Sequence, residues 1–236
     1  MFRHIFVTGD THGEFNRVIW FCEKHPFLTE DDIIIILGDA GLNYYGGLKD
    51  SIKKNMLAKC PCTFVCIHGN HEERPCNVPT YKKVYVEALG CECWVEDDFP
   101  NILFPDDGLM TIDGLTFLVL GGAYSVDKWV RLTYGWNWFP SEQMTDETMD
   151  RIRELVKKTN KFDYVLSHTC PLKFEPSHLF LRGVDQSKVD KRMERFFDEI
   201  EESITYDHWL FGHYHSDEMI NDKVQLMFNS FIELEH

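Results

Sequence analysis

Five times along this chain a short run of β-branched and aromatic residues stops at a glycine or serine and gives way at once to Asp, Asn or His. His4-Ile5-Phe6-Val7 precedes Gly9-Asp10-Thr11-His12-Gly13, and Ile33-Ile34-Ile35-Ile36-Leu37 precedes Gly38-Asp39. Phe64-Val65-Cys66-Ile67 precedes Gly69-Asn70-His71-Glu72. Tyr164-Val165-Leu166 leads into Ser167-His168, and Trp209-Leu210-Phe211 into Gly212-His213-Tyr214-His215. Short apolar runs bounded in this way read as buried strands. Asp10, Asp39 and Asn70 follow one another at intervals of about 30 residues, the length of a βαβ unit. The segments Phe15 to Glu23 and Leu48 to Ala58 suit the crossover helices, the second presenting Ile52, Met56 and Leu57 among lysines. Strands joined by such crossovers run parallel and bring their carboxyl ends to one edge, where ligands of open α/β sheets bind. The five polar clusters should therefore converge in space.

The long interval between Asn70 and His168 must hold more than one crossover. Strand candidates lie at Val84–Val86, Trp94–Val95, Ile102–Phe104 and Thr116–Leu120. Turn signals at Pro105-Asp106-Asp107-Gly108 and Asp113-Gly114 imply antiparallel pairing and a second sheet. Ser141 is placed to cap a helix running to about Lys158, with Met144, Met149, Ile152, Leu155 and Val156 at helical spacing. A further helix is expected from Ser187 to Ser203, with Val189, Met193, Phe196, Phe197 and Ile200 as its apolar stripe.

Asp10, His12, Asp39, Asn70, His168, His213 and His215 offer oxygen and nitrogen donors and no thiolate. Such a set favours Mn, Fe, Zn, Co or Ni. Seven donors are too many for one tetrahedral ion and suit two ions sharing a carboxylate. Two ions about 3.5–4 Å apart form a clamp for in-line displacement at phosphorus, with a bridging hydroxide of lowered pKa as the nucleophile. Gly-Asp after a strand is often only a turn, and a lone His such as His168 is more often structural. It is the ordered conjunction at strand ends that points to a metal centre.

Gly-Asp-x-His-Gly, Gly-Asp, Gly-Asn-His-Glu, a His after a strand and Gly-His-x-His, in that order from Asp10 to His215, resemble the calcineurin-like metallophosphoesterase family. The resemblance implies an α/β fold, a four-layer αββα sandwich of two mixed sheets flanked by helices. It implies that Asp10, His12 and His215 hold one divalent ion and Asn70, His168 and His213 a second, with Asp39 bridging. By the same resemblance His71 stabilises and protonates the leaving oxygen, and the cofactors are two divalent transition ions, Mn favoured.

Within the family, the protein Ser/Thr phosphatase branch carries Asp-Arg-Gly after its second Gly-Asp and an Arg before Gly-Asn-His-Glu. This chain has Ala40-Gly41-Leu42-Asn43-Tyr44-Tyr45 and His68 there, and Thr169-Cys170-Pro171 in place of glycines after the lone His. The stretch Gly121-Gly122-Ala123-Tyr124-Ser125-Val126-Asp127-Lys128, followed by Arg131, Gly135, Trp136 and Trp138, resembles a bacterial and phage subset of the family. Starting at a strand end, it can overhang the crevice, so Tyr124, Lys128 and Arg131 are candidate substrate contacts and the tryptophans candidate stacking surfaces; a Trp-anchored packing loop is the competing reading. Arg74 is a further candidate, within a Glu72-Glu73-Arg74 segment read as a solvated helix start, and so is Arg182. His68 is expected beside the site, whereas His4, His25, His178 and His208 are read as structural.

Composition narrows the function. At 236 residues the expectation is one domain, and 44% hydrophobic with 27% charged residues excludes disorder. A net charge of −15 without a basic run argues against extended nucleic acid, while bound cations would still admit a small phosphate. The apolar runs are too short to cross a bilayer, and no signal-like leader opens the chain, so cytoplasmic residence is expected. The eight cysteines, including Cys60-Pro61-Cys62 and Cys91-Glu92-Cys93, then read as core and loop thiols rather than as a structural zinc site. Leu234-Glu235-His236 resembles an appended tag. The expected function is hydrolysis of a mono- or diester of a small phosphorylated compound or nucleotide. A nuclease, a protein Ser/Thr phosphatase-like enzyme and a catalytically silent binding scaffold stand as alternatives.

Overall fold

A computed structural model describes residues 3–235 and contains two β-sheets packed face to face. Strands β1 (Ile5–Thr8), β2 (Ile33–Ile36) and β3 (Thr63–Cys66) run parallel and in register. Helices α1 (Asn16–Lys24) and α2 (Leu48–Leu57) make the crossovers between them. Next come β4 (Lys82–Val86), β5 (Cys91–Val95) and β6 (Ile102–Pro105). β4 and β5 form an antiparallel hairpin, β6 lies antiparallel to β5, and β6 joins β3 in parallel. These strands therefore extend the first sheet rather than founding the second, as the turn signals had suggested.

The second sheet begins with β7 (Gly108–Ile112) and β8 (Leu115–Leu120), an antiparallel hairpin whose turn residues Asp113 and Gly114 both have positive φ, 49° and 93°. After α3 (Lys128–Tyr134) and α4 (Asp146–Lys158), β9 (Lys161–Ser167) pairs in parallel with β8. Beyond α5 (Arg192–Ser203), β10 (Thr205–Phe211) pairs in parallel with β9. Strands β11 (Glu218–Met219) and β12 (Val224–Leu226) close that edge, and β13 (Ile232–Glu233) returns to β1. The Pro105–Gly108 turn is thus the passage between sheets. Asp107 holds it, accepting from the Gly121 backbone N–H at 2.6 Å and from Arg74 at 3.0 Å.

Apart from the exposed outer face of edge strand β4, each sheet is covered on both faces, and the strand period of two sorts its side chains. Ile5, Val7, Ile33, Ile35 and Val65 meet Phe117, Val119, Leu166 and Leu210 between the sheets. Phe6, Ile34, Ile36 and Phe64 lie under Val18 and Phe21 of α1 and Leu57 of α2. Leu118, Leu120 and Val165 lie under Ile152 of α4 and Met193, Phe197 and Ile200 of α5. This is the expected four-layer αββα sandwich.

Several helix expectations shift. α2 buries Asp50 and Lys54 with Leu57, and Ile52 and Met56 are exposed. Asp50 accepts from the Tyr45 and Gly46 N–H groups, and Lys54 pairs with buried Glu96 at 2.6 Å, so polar anchoring overrides the apolar stripe. α4 starts at Asp146 because Thr145 is the cap, accepting from the Thr148 N–H, while Ser141 donates to Glu73. α5 starts at Arg192; Gln186–Lys188 is a separate 3-10 turn capped by Asp185. Leu234 belongs to the core, its N–H bonded to the Ile5 carbonyl, and His236 lies outside the described residues. No helix among the described residues is long and apolar enough to cross a membrane.

Candidate metal centre and active site

The carboxyl ends of β1, β2 and β3 and those of β9 and β10 open onto one crevice. His12, Asp39, Asn70, His71, His213 and His215 line a single cavity of about 520 Å³ there. Asp10 and His168 lie just behind, buried, with Asp10 shared between two clusters of possible metal donors: Asp10, His12 and His215, and Asp10, Asp39 and His168. All seven residues expected to hold metal are brought together.

The backbone bends to do this. Five non-glycine residues among those described have positive φ, and four of them are His12 (49°), Asp39 (47°), His213 (70°) and His215 (53°); the fifth is Asp113 of the hairpin turn. Non-glycine residues rarely adopt this conformation, and such strain concentrates where geometry serves function. Cross-strand bonds hold the bends: the His12 N–H donates to the Asp39 carbonyl at 2.7 Å, and Arg17 donates to the Gly9 and Asp10 carbonyls.

Asp10 and Asp39 are held alike. Asp10 Oδ1 accepts from the His213 N–H at 2.9 Å and Asp39 Oδ1 from the His71 N–H at 2.8 Å, while both Oδ2 atoms are buried without a hydrogen-bond partner. The preceding glycines allow the approach. A Cβ on Gly69 would stand 2.1 Å from Asp39 Oδ1, and one on Gly212 would stand 2.3 Å from Asp10 Oδ1. Burial alone would raise both carboxyls, but His168 and the neighbouring imidazoles hold Asp10 below, and Asp39 well below, the usual carboxylate range. Two buried anions thus turn free oxygens toward nearby rings. His215 Nε2 is 3.3 Å from Asp10 Oδ2, and His168 Nε2 is 3.6 Å from Asp39 Oδ2.

The ring nitrogens tell the same story. His168 Nδ1 donates to the Leu37 carbonyl at 2.8 Å, and Asn70 donates its amide to Ser125 Oγ at 2.9 Å. Those bonds leave His168 Nε2 and Asn70 Oδ1, 2.9 Å apart, both offering lone pairs unless His168 takes a second proton. Burial works against that proton, yet Asp39 and Asp10 raise His168 to about 9. His12 Nε2 and His215 Nε2 likewise meet at 2.9 Å. Burial drives His213 down to about 3, helped by the charge of His168, leaving a neutral donor. Orphaned buried carboxylate oxygens facing convergent imidazoles are the environment that divalent cations satisfy, and the donor set fits them.

Around this centre the other candidates divide. Arg131 lines the cavity, is gripped by Asp127 through Nε at 2.9 and 2.8 Å, and directs Nη2 at His71 Nε2 over 3.3 Å. Tyr124 also lines it. Lys128 does not: its ammonium sits 3.8 Å from the Trp138 ring centroid. Trp138 donates to Glu142, which accepts from the Ser125 N–H, so this part of the segment is a packing loop that steadies the partner of Asn70. Arg74 is also outside the cavity lining, held by Asp107 and the Ser141 carbonyl, and Arg182 is absent from it. Glu72 is no solvated helix residue. It is fully buried, accepts from the Gly41 and Gly69 N–H groups, and burial with nearby Asp39 raises it to about 7. His68 packs behind the centre, kept neutral by burial and Arg74. His4, His25, His178 and His208 lie away from the cavity lining, as expected. All eight cysteines are free, and no cluster of three possible metal donors among the described residues includes one.

Sequence reasoning missed Lys53, Tyr45 and, in the 179–189 segment where it had offered Arg182, the apolar side chains Leu179, Phe180, Leu181, Val184 and Val189, which line the cavity. Lys53 reaches across from α2 to the His12 carbonyl at 3.3 Å, over a Gly13 whose Cβ would stand 2.1 Å from its Nζ. The Gly13 side of that contact was the one available signal.

The calcineurin-like phosphoesterase family model matches residues 3–217. No curated protein matches the sequence. Similar solved structures include the protein TT1561 of Thermus thermophilus, at 14% identity, TM-score 0.48, covering 97% of this chain and 89% of that one. Another is the phosphopantetheinyl hydrolase of Mycobacterium tuberculosis, at 13% identity, TM-score 0.48, covering 96% and 88%. By the family match over nearly its whole length, the chain belongs to the calcineurin-like phosphoesterases, a family of metal-dependent phosphoric ester hydrolases.

Proposed function

We propose that this protein hydrolyses a mono- or diester of a small phosphorylated compound at a centre of two divalent ions. Asp10, His12 and His215 would hold one ion, Asn70, His168 and His213 the other, and Asp39 both. The observation that carries the reading is the pair of buried Oδ2 atoms of Asp10 and Asp39, orphaned and facing imidazoles. When bound, the ions supply charge neutralisation at phosphorus and acidify water for attack. Three oxygen donors and four imidazoles, with no thiolate, admit Mn, Fe, Zn, Co and Ni, and of these we favour Mn.

The chain's own residues do the rest. Arg131, preorganised by Asp127 and Tyr44, offers its guanidinium to a phosphoryl oxygen. Burial lowers the His71 imidazole and Arg131 adds to the effect, although Asp39 opposes it. A phosphate anion in the cavity acts in the opposite sense. By engaging Arg131 it frees His71 Nε2 to carry a proton to the departing oxygen.

Metal analysis of protein purified without chelator should find about two transition ions per chain. Asp39→Asn should lose both ions and turnover of chromogenic phosphate esters. A wild-type protein that takes up no added Mn would refute the reading.

A further inference from the structure

The cavity is larger than a phosphate requires. At about 520 Å³ it falls in the range of sites that enclose organic ligands of drug size. Its walls also differ in chemistry. On the side of His71 stand Arg131, Lys53, Tyr44 and Tyr45: Arg131 contacts both His71 and Tyr44, and Lys53 lies over the Tyr45 ring and reaches the His12 carbonyl. On the side of His213, the 179–189 segment contributes Leu179, Phe180, Leu181, Val184 and Val189. This wall adjoins the centre through Tyr214, whose ring packs against both His213 (4.9 Å) and Phe180 (6.2 Å).

The charges of the second wall are already engaged. Lys191 is paired with Glu175 at 2.5 Å and lies 4.8 Å over the Phe180 ring. Glu194 accepts from Thr169 at 2.9 Å. Among the described residues of this wall that line the cavity, a second anionic group would find no uncommitted cation, the exposed Arg182 of the same segment lying outside the lining, whereas an uncharged apolar group would exchange water for Leu, Phe and Val side chains. The cations that suit phosphoryl oxygens are on the His71 side.

We infer, on the reading of the centre given above, that the substrate is a phosphodiester whose retained substituent is an uncharged, apolar organic group seated against the 179–189 wall. The diester follows from the placement of the proton donor. A leaving group protonated by His71 departs beside Arg131 and Tyr44, so a group seated beside Phe180 and Tyr214, which border His213 instead, is the one that stays on phosphorus. Water adds its oxygen to phosphorus and gives up one proton to solvent, from which His71 is re-protonated after turnover, and the P–O bond on the His71 side breaks. The released alkoxide takes a proton from His71, and the apolar group remains on a phosphate monoester.

The test uses the Mn-loaded full chain and diesters sharing one leaving group: methyl, phenyl and thymidine 5′ p-nitrophenyl phosphate, with p-nitrophenyl phosphate as the monoester. The phenyl ester should exceed the methyl ester in kcat/KM by about tenfold or more, as expected for seating one aromatic ring. It should also exceed the thymidine ester and the monoester. Val184→Asp and Leu181→Asp, on a surface segment where folding is spared, should each bring the phenyl-to-methyl ratio close to one. Preference for the monoester, equal rates for phenyl and methyl esters, or a ratio unmoved by both variants would overturn the inference while leaving the phosphoesterase reading intact. Absence of hydrolysis of all four compounds would overturn both.

Discussion

Glu194 offers a quantitative check on how the cavity wall is built. Its side chain is buried on α5, Oε1 accepts from Thr169 and Oε2 has no partner. Burial raises the carboxyl to about 7 from an ordinary 4.5. The sign follows from proton counting. Between those values the folded protein holds a proton that the unfolded chain has lost, so the stabilisation is complete below the unfolded pKa and disappears as pH rises through the folded one. For this one group the loss amounts to about 2 kcal/mol between pH 5.5 and 8. Glu194→Gln keeps the shape and cannot ionise, so its urea-unfolding free energy should lack this component. Unfolding of both proteins at pH 5.5, 7 and 8, at one fixed divalent-ion concentration, gives the difference directly, with groups such as Glu72 cancelling. A gap between wild type and variant that stays constant across that window would refute the assignment of a buried, reluctantly ionised carboxyl to this wall.

Other expectations concern the centre itself. His71→Ala should retain its ions by metal analysis and lose about 10²–10⁴-fold in kcat, so unchanged turnover would remove it as proton donor. Ser125→Ala frees the Asn70 amide and should weaken binding of one ion about 10–100-fold in a Mn titration while leaving the other. Gly212→Ala would set a Cβ 2.3 Å from Asp10 Oδ1 and 2.8 Å from the Leu37 carbonyl, costing about 1–3 kcal/mol in unfolding measurements along with metal affinity.

The centre was legible because each donor follows a strand, and parallel strands fix where their ends go. Gly38-Asp39 and Gly212-His213 could be placed without any knowledge of the loops between them. What sequence left open depended on long-range polar anchoring. Ile52 and Met56 read as an inward stripe only until Asp50 and Lys54 find the Gly46 N–H and Glu96. Glu72 and Arg74 looked solvated because their partners, Gly41 and Asp107, lie 31 and 33 positions away. The hairpin of β7 and β8 showed its turn at Asp113-Gly114, but which sheet β4, β5 and β6 joined was decided by β6 lying beside β3. Lys128 and Arg131 were one helical turn apart and equally cationic; Trp138 took one and the cavity the other.

The donors also have a bearing on how the two halves of the molecule stay docked. Asp10, His12, Asp39 and Asn70 follow strands of one sheet, and His168, His213 and His215 follow strands of the other. An ion held by Asp10, His12 and His215 is a clasp across the seam, as is one held by Asn70, His168 and His213. Metal would then act as a rivet for the sandwich, raising the melting temperature with its concentration by mass action. Slippage of one sheet over the other would open both clasps at once, and catalysis would fail before the fold does.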